Sequence, residues 1–136
     1  MIRAVIWDCY GVLYQERGAQ LVRSDDVLAY VESLRPAYKI GLLSNLGPGA
    51  IDRFFTGDEQ KSLFDTVVVS SAVGMSKPDP DIFLYACSKL GVEPSEAVMI
   101  DDIESNCDGA RAAGLQAIWF KSLSQTQAAL REIIAE

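Results

Sequence analysis

Residues 97–120 read AVMIDDIESNCDGARAAGLQAIWF and carry three kinds of local signal in succession. The apolar run at 97–100 has no polar alternation, as a strand covered on both faces does not. Two acids, Asp101 and Asp102, follow it at once. A helical stretch over 104–113 closes at Gly114, a residue suited to helix ends, and a further apolar run occupies 116–120. Strand, helix and strand in this order predict two parallel strands joined by a right-handed crossover.

The same alternation extends toward the amino terminus. Apolar runs at 2–7, 38–43 and 66–69, rich in Val and Ile, bring the expected strands to five. Between them, Ser24-Asp25-Asp26 offers an N-cap for a helix reaching residue 33 or 34, before Pro36. The clearest helix covers 79–90: it opens after Pro78, puts Ile82, Phe83, Ala86 and Leu90 on one stripe, and stops at Gly91. A last helix is expected over 124–134, with Leu130, Ile133 and Ile134 as its apolar side. Residues 11–23 read as a hairpin around Arg17-Gly18 that can fold over a site as a flap. The predicted fold is α/β, a Rossmann-like doubly wound parallel sheet of five strands with helices on both faces, built as one domain over residues 1–136.

Charge narrows the partners. A net charge of −7 and a pI near 4.5, with no Lys/Arg cluster, disfavour nucleic acid and anionic membrane. A small phosphorylated molecule can bind only where cations reverse that sign locally. Three cysteines without CxxC spacing, and no histidine, argue against a zinc site and for a reducing cytoplasm. The start, MIRAVIWD, meets an acid too early for a signal peptide, and no apolar run approaches the length of a membrane span, so a soluble, unexported protein is expected. The lack of histidine also removes the commonest general base and favours carboxylate chemistry. Cys9, Cys87 and Cys107 read as small buried packing groups, and Trp7, Phe83 and Trp119 as core.

Doubly wound sheets bind ligands beyond the carboxyl ends of their strands. The residues there are Asp8 after the first strand, Ser44-Asn45 after the second and Asp101-Asp102 after the fourth, joined by Ser76-Lys77-Pro78 before the long helix. In their order, WDCYGVL, LLSN, SKPDPDIF and MIDDIESNCDGARAAG, these segments resemble the four motifs of the haloacid-dehalogenase-like hydrolase superfamily over nearly the whole chain. Residues 68–120 are especially similar to the subfamily of sugar-phosphate phosphatases and the phosphatase domain of epoxide hydrolases.

That resemblance implies a phosphohydrolase in which Asp8 attacks phosphorus to form an aspartyl phosphate. Ser44 and Asn45 then contact the phosphoryl group, Lys77 neutralises charge, and Mg²⁺ is held by Asp8, the backbone carbonyl near Tyr10, Asp101 and Asp102. Physical chemistry points the same way: three carboxylates in one pocket stay ionised only beside cations, and hard oxygen donors suit magnesium. Asn106, on the following helix, reads equally as a group orienting the metal carboxylates and as a backbone cap.

One position departs from the family. Most of its phosphatases carry a second Asp two residues after the nucleophile, as acid and then base; here it is Tyr10. A phenol can donate a proton at neutral pH but activates water poorly, so slow turnover and a preference for good leaving groups such as acyl phosphates are expected. Asp-x-Tyr-Gly also resembles the metal-free 2-haloacid dehalogenases, for which Arg17 or Arg23 would clamp the substrate carboxylate, although the Asp101-Asp102 pair has no electrostatic purpose there. A third reading is a regulatory module with the fold but without turnover. The short intervals on either side of Ser44 leave no room for a cap domain, so the site is open unless a second copy in a homo-oligomer covers it.

Overall fold

The computed structural model describes residues 1–135. Its elements are β1 (Ala4–Trp7), β2 (Tyr14–Arg17), β3 (Gln20–Arg23), α1 (Asp25–Ser33), β4 (Lys39–Ser44), α2 (Ile51–Phe54), α3 (Gly57–Leu63), β5 (Thr66–Val69), α4 (Ser70–Val73), α5 (Pro80–Leu90), β6 (Ala97–Asp101), α6 (Glu104–Ala112), β7 (Gln116–Trp119) and α7 (Leu123–Ala135). The five apolar runs form one sheet in the order β5-β4-β1-β6-β7, every neighbouring pair parallel. The chain winds from β1 outward through β4 to β5, then returns to the other side of β1 for β6 and β7. This reversal opens a crevice at the carboxyl ends of the three central strands. Trp7 pairs with Leu42 on one side and Ile100 on the other, so the next residue, Asp8, emerges between Leu43 and Asp101.

Alternate strand residues feed two cores. Val5 and Trp7 face one, with Val27 and Val31 of α1 and Leu130 of α7; Ala4 and Ile6 face the other, with Ile82 and Phe83 of α5 and Ala110 of α6. Phe83 is fully buried and contributes about 2–3 kcal/mol by leaving water. Helices therefore cover both faces, as the continuous apolar runs predict. The three cysteines are free and buried as expected, and no described helix is long and apolar enough to cross a membrane.

Three local expectations need correction. Ser24 precedes α1, but its side chain makes no cap hydrogen bond; its hydroxyl is buried without a partner among the described residues, while its carbonyl accepts from Leu28 N at 3.0 Å. Trp119 is 40% exposed rather than core, because β7 is an edge strand and its last residue lies beyond the helices. The short helices α2, α3 and α4 were not anticipated. For α3 a signal existed: Thr56 and Glu59 form a reciprocal capping box, Thr56 Oγ1 accepting from Glu59 N at 3.1 Å and Glu59 Oε1 from Thr56 N at 2.9 Å.

The hairpin forms as expected, with Arg17 opposite Gln20 and Tyr14 opposite Arg23. Arg23 fastens it to the body: its guanidinium donates to Glu59 at 2.5 and 3.1 Å, to the Phe54 carbonyl at 2.6 Å and to the Tyr14 hydroxyl at 2.9 Å, and lies 5.1 Å from the centre of the Phe55 ring. Between β1 and β4 stand only this hairpin and α1; among the described residues no cap unit is inserted there.

Candidate active site

Asp8 leaves the end of β1 into the crevice, where Oδ1 accepts from its neighbour Cys9 N at 2.8 Å, from Lys77 Nζ at 2.9 Å and from Ser44 Oγ at 3.3 Å. Lys77 arrives from the loop before α5. Its ammonium donates to Asp8 Oδ1 at 2.9 Å, to Asp101 Oδ2 at 2.6 Å and to the Leu43 carbonyl at 2.9 Å. An ammonium has three protons, so this buried cation is saturated. Its side chain is only 1% exposed, and such burial of a charge requires this degree of pairing.

Hydrogen bonds divide the adjacent acids. Asp101 Oδ1 accepts from Ile103 N at 3.0 Å, and Oδ2 accepts from Lys77 and, at 3.2 Å, from Asn106 Nδ2. Both its oxygens are engaged in orienting other groups. Asp102 differs: its Oδ1 is buried without a partner among the described residues. Asp8, Asp101 and Asp102 each place one oxygen within 4.8 Å of the others. Three carboxylates against one ammonium leave the cluster two negative charges in excess.

The burial of this cluster is visible in the acidities. Burial pushes the Asp8 carboxyl up to about 7, partly opposed by Lys77 and reinforced by Asp101. Burial also raises Asp102. A divalent cation fits what the cluster lacks, since the donors are hard oxygens and one is buried without a partner among the described residues.

The supporting residues take distinct places. Asn45 clasps the backbone of Lys77, its Nδ2 donating to the Lys77 carbonyl at 3.0 Å and its Oδ1 accepting from Lys77 N at 2.9 Å. Both ends of the amide are thus spent on holding Lys77. Asn106 reaches Asp101 from α6. Tyr10 is 45% exposed at the mouth, and its hydroxyl donates to Glu16 Oε1 on β2, a bond that is the main cause of its raised pKa.

Two glycines escaped the sequence reading. Gly11 has φ +91°, and a Cβ there would strike the Asp102 carboxylate. Gly109 lets α6 approach the Pro78 carbonyl, which seats the Lys77 loop. Both lie within the quoted motifs, which was the available signal. The resulting cavity, about 330 Å³, is lined by Asp8, Tyr10, Ser44, Asn45, Lys77 and Asp102, with Leu46, Ile103 and Asn106. Every site residue expected from sequence therefore meets at one sheet edge.

Known proteins share this arrangement of chain. N-acylneuraminate-9-phosphatase of Homo sapiens is 33% identical over 120 residues, 87% of this chain, which spans 48% of that protein's length. A phosphoserine phosphatase of Thermus thermophilus is 36% identical over 89 residues, 65% of this chain and 36% of its own. Among solved structures, a HAD family enzyme of Bacteroides thetaiotaomicron, crystallised as an Asp-to-Ala mutant with magnesium and inorganic phosphate, shares the fold with a TM-score of 0.79 at 18% identity, covering 90% of this chain and 96% of that one. The haloacid dehalogenase-like hydrolase family model matches residues 6–120, both walls of the crevice included, and the chain belongs to that family.

Proposed function

We propose that the chain is a magnesium-dependent phosphohydrolase working through an aspartyl phosphate on Asp8. The carrying observation is the charge imbalance: Lys77 has no proton left to offer, and Asp102 Oδ1 lies buried and unpartnered in the same cluster as the nucleophile. The names of the two relatives above, both phosphatases, support the reaction class.

The chain's residues divide the work. Three donors hold Asp8 Oδ1 and so set the orientation of the carboxylate. The Asp8 carboxylate attacks phosphorus, the bond from phosphorus to the leaving oxygen breaks, and water later attacks the aspartyl phosphate. Ser44 turns its hydroxyl from Asp8 to a phosphoryl oxygen. Lys77, fixed by Asn45 and Asp101, favours the ionised form of Asp8 against the cost of burial. Asp8, Asp102 and the Tyr10 carbonyl would hold Mg²⁺, with Asp101 and Asn106 positioning that set, and the ion would supply the positive charge that a phosphoryl group needs in this acidic pocket.

Tyr10 limits the leaving group. Its proton is held by Glu16, so in this arrangement none is offered to a departing alkoxide. Acyl phosphates, whose leaving carboxylate needs none, are the expected good substrates. Rapid-quench measurement with acetyl phosphate and Mg²⁺ should release one equivalent of acetate per site in a burst, abolished by EDTA. Neither burst nor turnover would overturn the proposal. Tyr10→Asp should raise alkyl phosphate hydrolysis about 100-fold, the lower range for a positioned acid.

The metal-free dehalogenase reading has less support. Arg23 is committed to Glu59, Tyr14 and Phe54, and so is not free to clamp a substrate carboxylate. Chloride release from 2-chloropropionate in EDTA would favour it instead.

A further inference from the structure

Six large apolar side chains are well exposed among the described residues, and three of them, Tyr10, Ile103 and Trp119, line the nucleophile's cavity or the one beside it. That concentration marks a binding surface rather than scattered exposure. The neighbouring cavity, about 460 Å³, shares Tyr10 and Asp102 with the nucleophile's and is also lined by Gln15, Glu16, Trp119 and Lys121. Trp119 is not loose there: its indole Nε1 donates to the Asp102 carbonyl at 2.9 Å. The Lys121 ammonium sits 3.6 Å from the centre of the Trp119 ring, a cation–π contact that holds the charge at the cavity.

Lys121 forms no ion pair among the described residues, whereas Lys77 is spent on Asp8 and Asp101. The balance gives this weight. With three carboxylates and one lysine, a divalent cation only brings the cluster to neutrality, so the further charge of an anionic substrate needs a cation from outside it. Lys121 is the cation that lines the adjoining cavity. The one free acid in that lining, Glu16, is engaged by the Tyr10 hydroxyl.

We propose that this second cavity takes the organic part of the phosphorylated substrate, and that Lys121, seated on Trp119, selects substrates whose organic part carries a carboxylate. The proposal rests on the phosphohydrolase reading for the position of the phosphoryl group. It also makes a prediction opposite to the global field: a chain of net charge −7 should bind the more anionic of two phosphates less well, unless a local cation reads the extra charge.

A matched pair tests this, 3-phosphoglycerate and glycerol 3-phosphate, which differ by a carboxylate in place of a hydroxymethyl group. Titration calorimetry of the full chain in Mg²⁺ should show the carboxylate compound binding about fivefold tighter, the size of an ion pair at a half-open site. Lys121→Gln should bring the ratio close to one, and Lys121→Arg should retain most of it. Equal affinities in the unmodified chain, a ratio that survives Lys121→Gln, or no binding of either compound would each overturn the assignment. Acetyl phosphate hydrolysis measured in parallel keeps the two readings apart. Preference without hydrolysis sinks the phosphohydrolase and spares the subsite; hydrolysis without preference does the reverse.

Discussion

At the carboxyl edge of the sheet three carboxylates share one ammonium, whereas beneath the hairpin one guanidinium meets one carboxylate. The acids respond in opposite directions. Glu59 is lowered to about 2, chiefly by its hydrogen bond from Arg23, while Asp8 is raised to about 7, chiefly by burial. Both side chains of the Arg23–Glu59 pair are 33% exposed, so water shares the cost of their charges. Asp8 and Asp101 are buried and outnumber their cation, so their charge is met neither by solvent nor by protein. A balanced cluster fastens a flap. An unbalanced one is stressed until something positive binds, and that unmet demand separates a site from a strut.

The strongest challenge to this contrast is Asp8→Asn. It removes the proposed nucleophile and one uncompensated charge together, so acetyl phosphate hydrolysis should fall about 10⁴-fold or more. Thermal unfolding without magnesium should show the variant at least as stable as the unmodified chain; a clear drop in melting temperature would mean that Asp8 is structural. Next is Lys77→Met, which leaves Asp101 buried beside a neighbouring acid with no cation. Urea unfolding should show a loss of about 3 kcal/mol, and added Mg²⁺ should recover part of it. An unchanged midpoint would break the charge-balance account.

Acid and base sharpen the comparison with a smaller effect. The unfolded chain releases the Asp8 proton near the ordinary aspartate value of 3.8, but the native chain holds it to about 7. Between those values the native state binds more protons, so this group makes stability fall as pH rises, and Mg²⁺ should flatten the slope. Glu59 acts with the opposite sign: its contribution is present above its unfolded value of 4.5 and lost as pH falls toward about 2. Melting curves of the unmodified chain, Asp8→Asn and Glu59→Gln in EDTA would separate the two. The smallest effect is expected from Arg23→Met, a small drop in melting temperature, since the pair is one-third exposed and shares its charges with water. Hydrolysis of acetyl phosphate should change by less than about threefold, because a strut and not the site is lost.

Much of this was legible before any coordinates. Continuous Val/Ile runs demanded strands covered twice, and the acids directly after them fell on the ligand edge because parallel strands all end there. Less legible was what each polar group does once it arrives. Asn45, expected to contact substrate, spends both ends of its amide on the Lys77 backbone. Asp101 and Asp102 are identical letters side by side, yet successive residues leaving a strand point opposite ways, so one meets Lys77 and Asn106 while the other keeps a buried free oxygen. Trp119 reads as core in any apolar run, and only strand order puts it at an edge.

The layered fold, the convergence of the acids and Lys77, and the acidic surplus are all written in the order of residues, because periodicity and composition are local properties that a chain carries unfolded. Tertiary structure alone decided that Lys77 is saturated, that Asp102 has an oxygen to spare, and that Lys121 rests on Trp119 beside the site. Those are matters of which donors reach which acceptors across the crevice, and hydrogen bonds act over distances that only the packed chain sets.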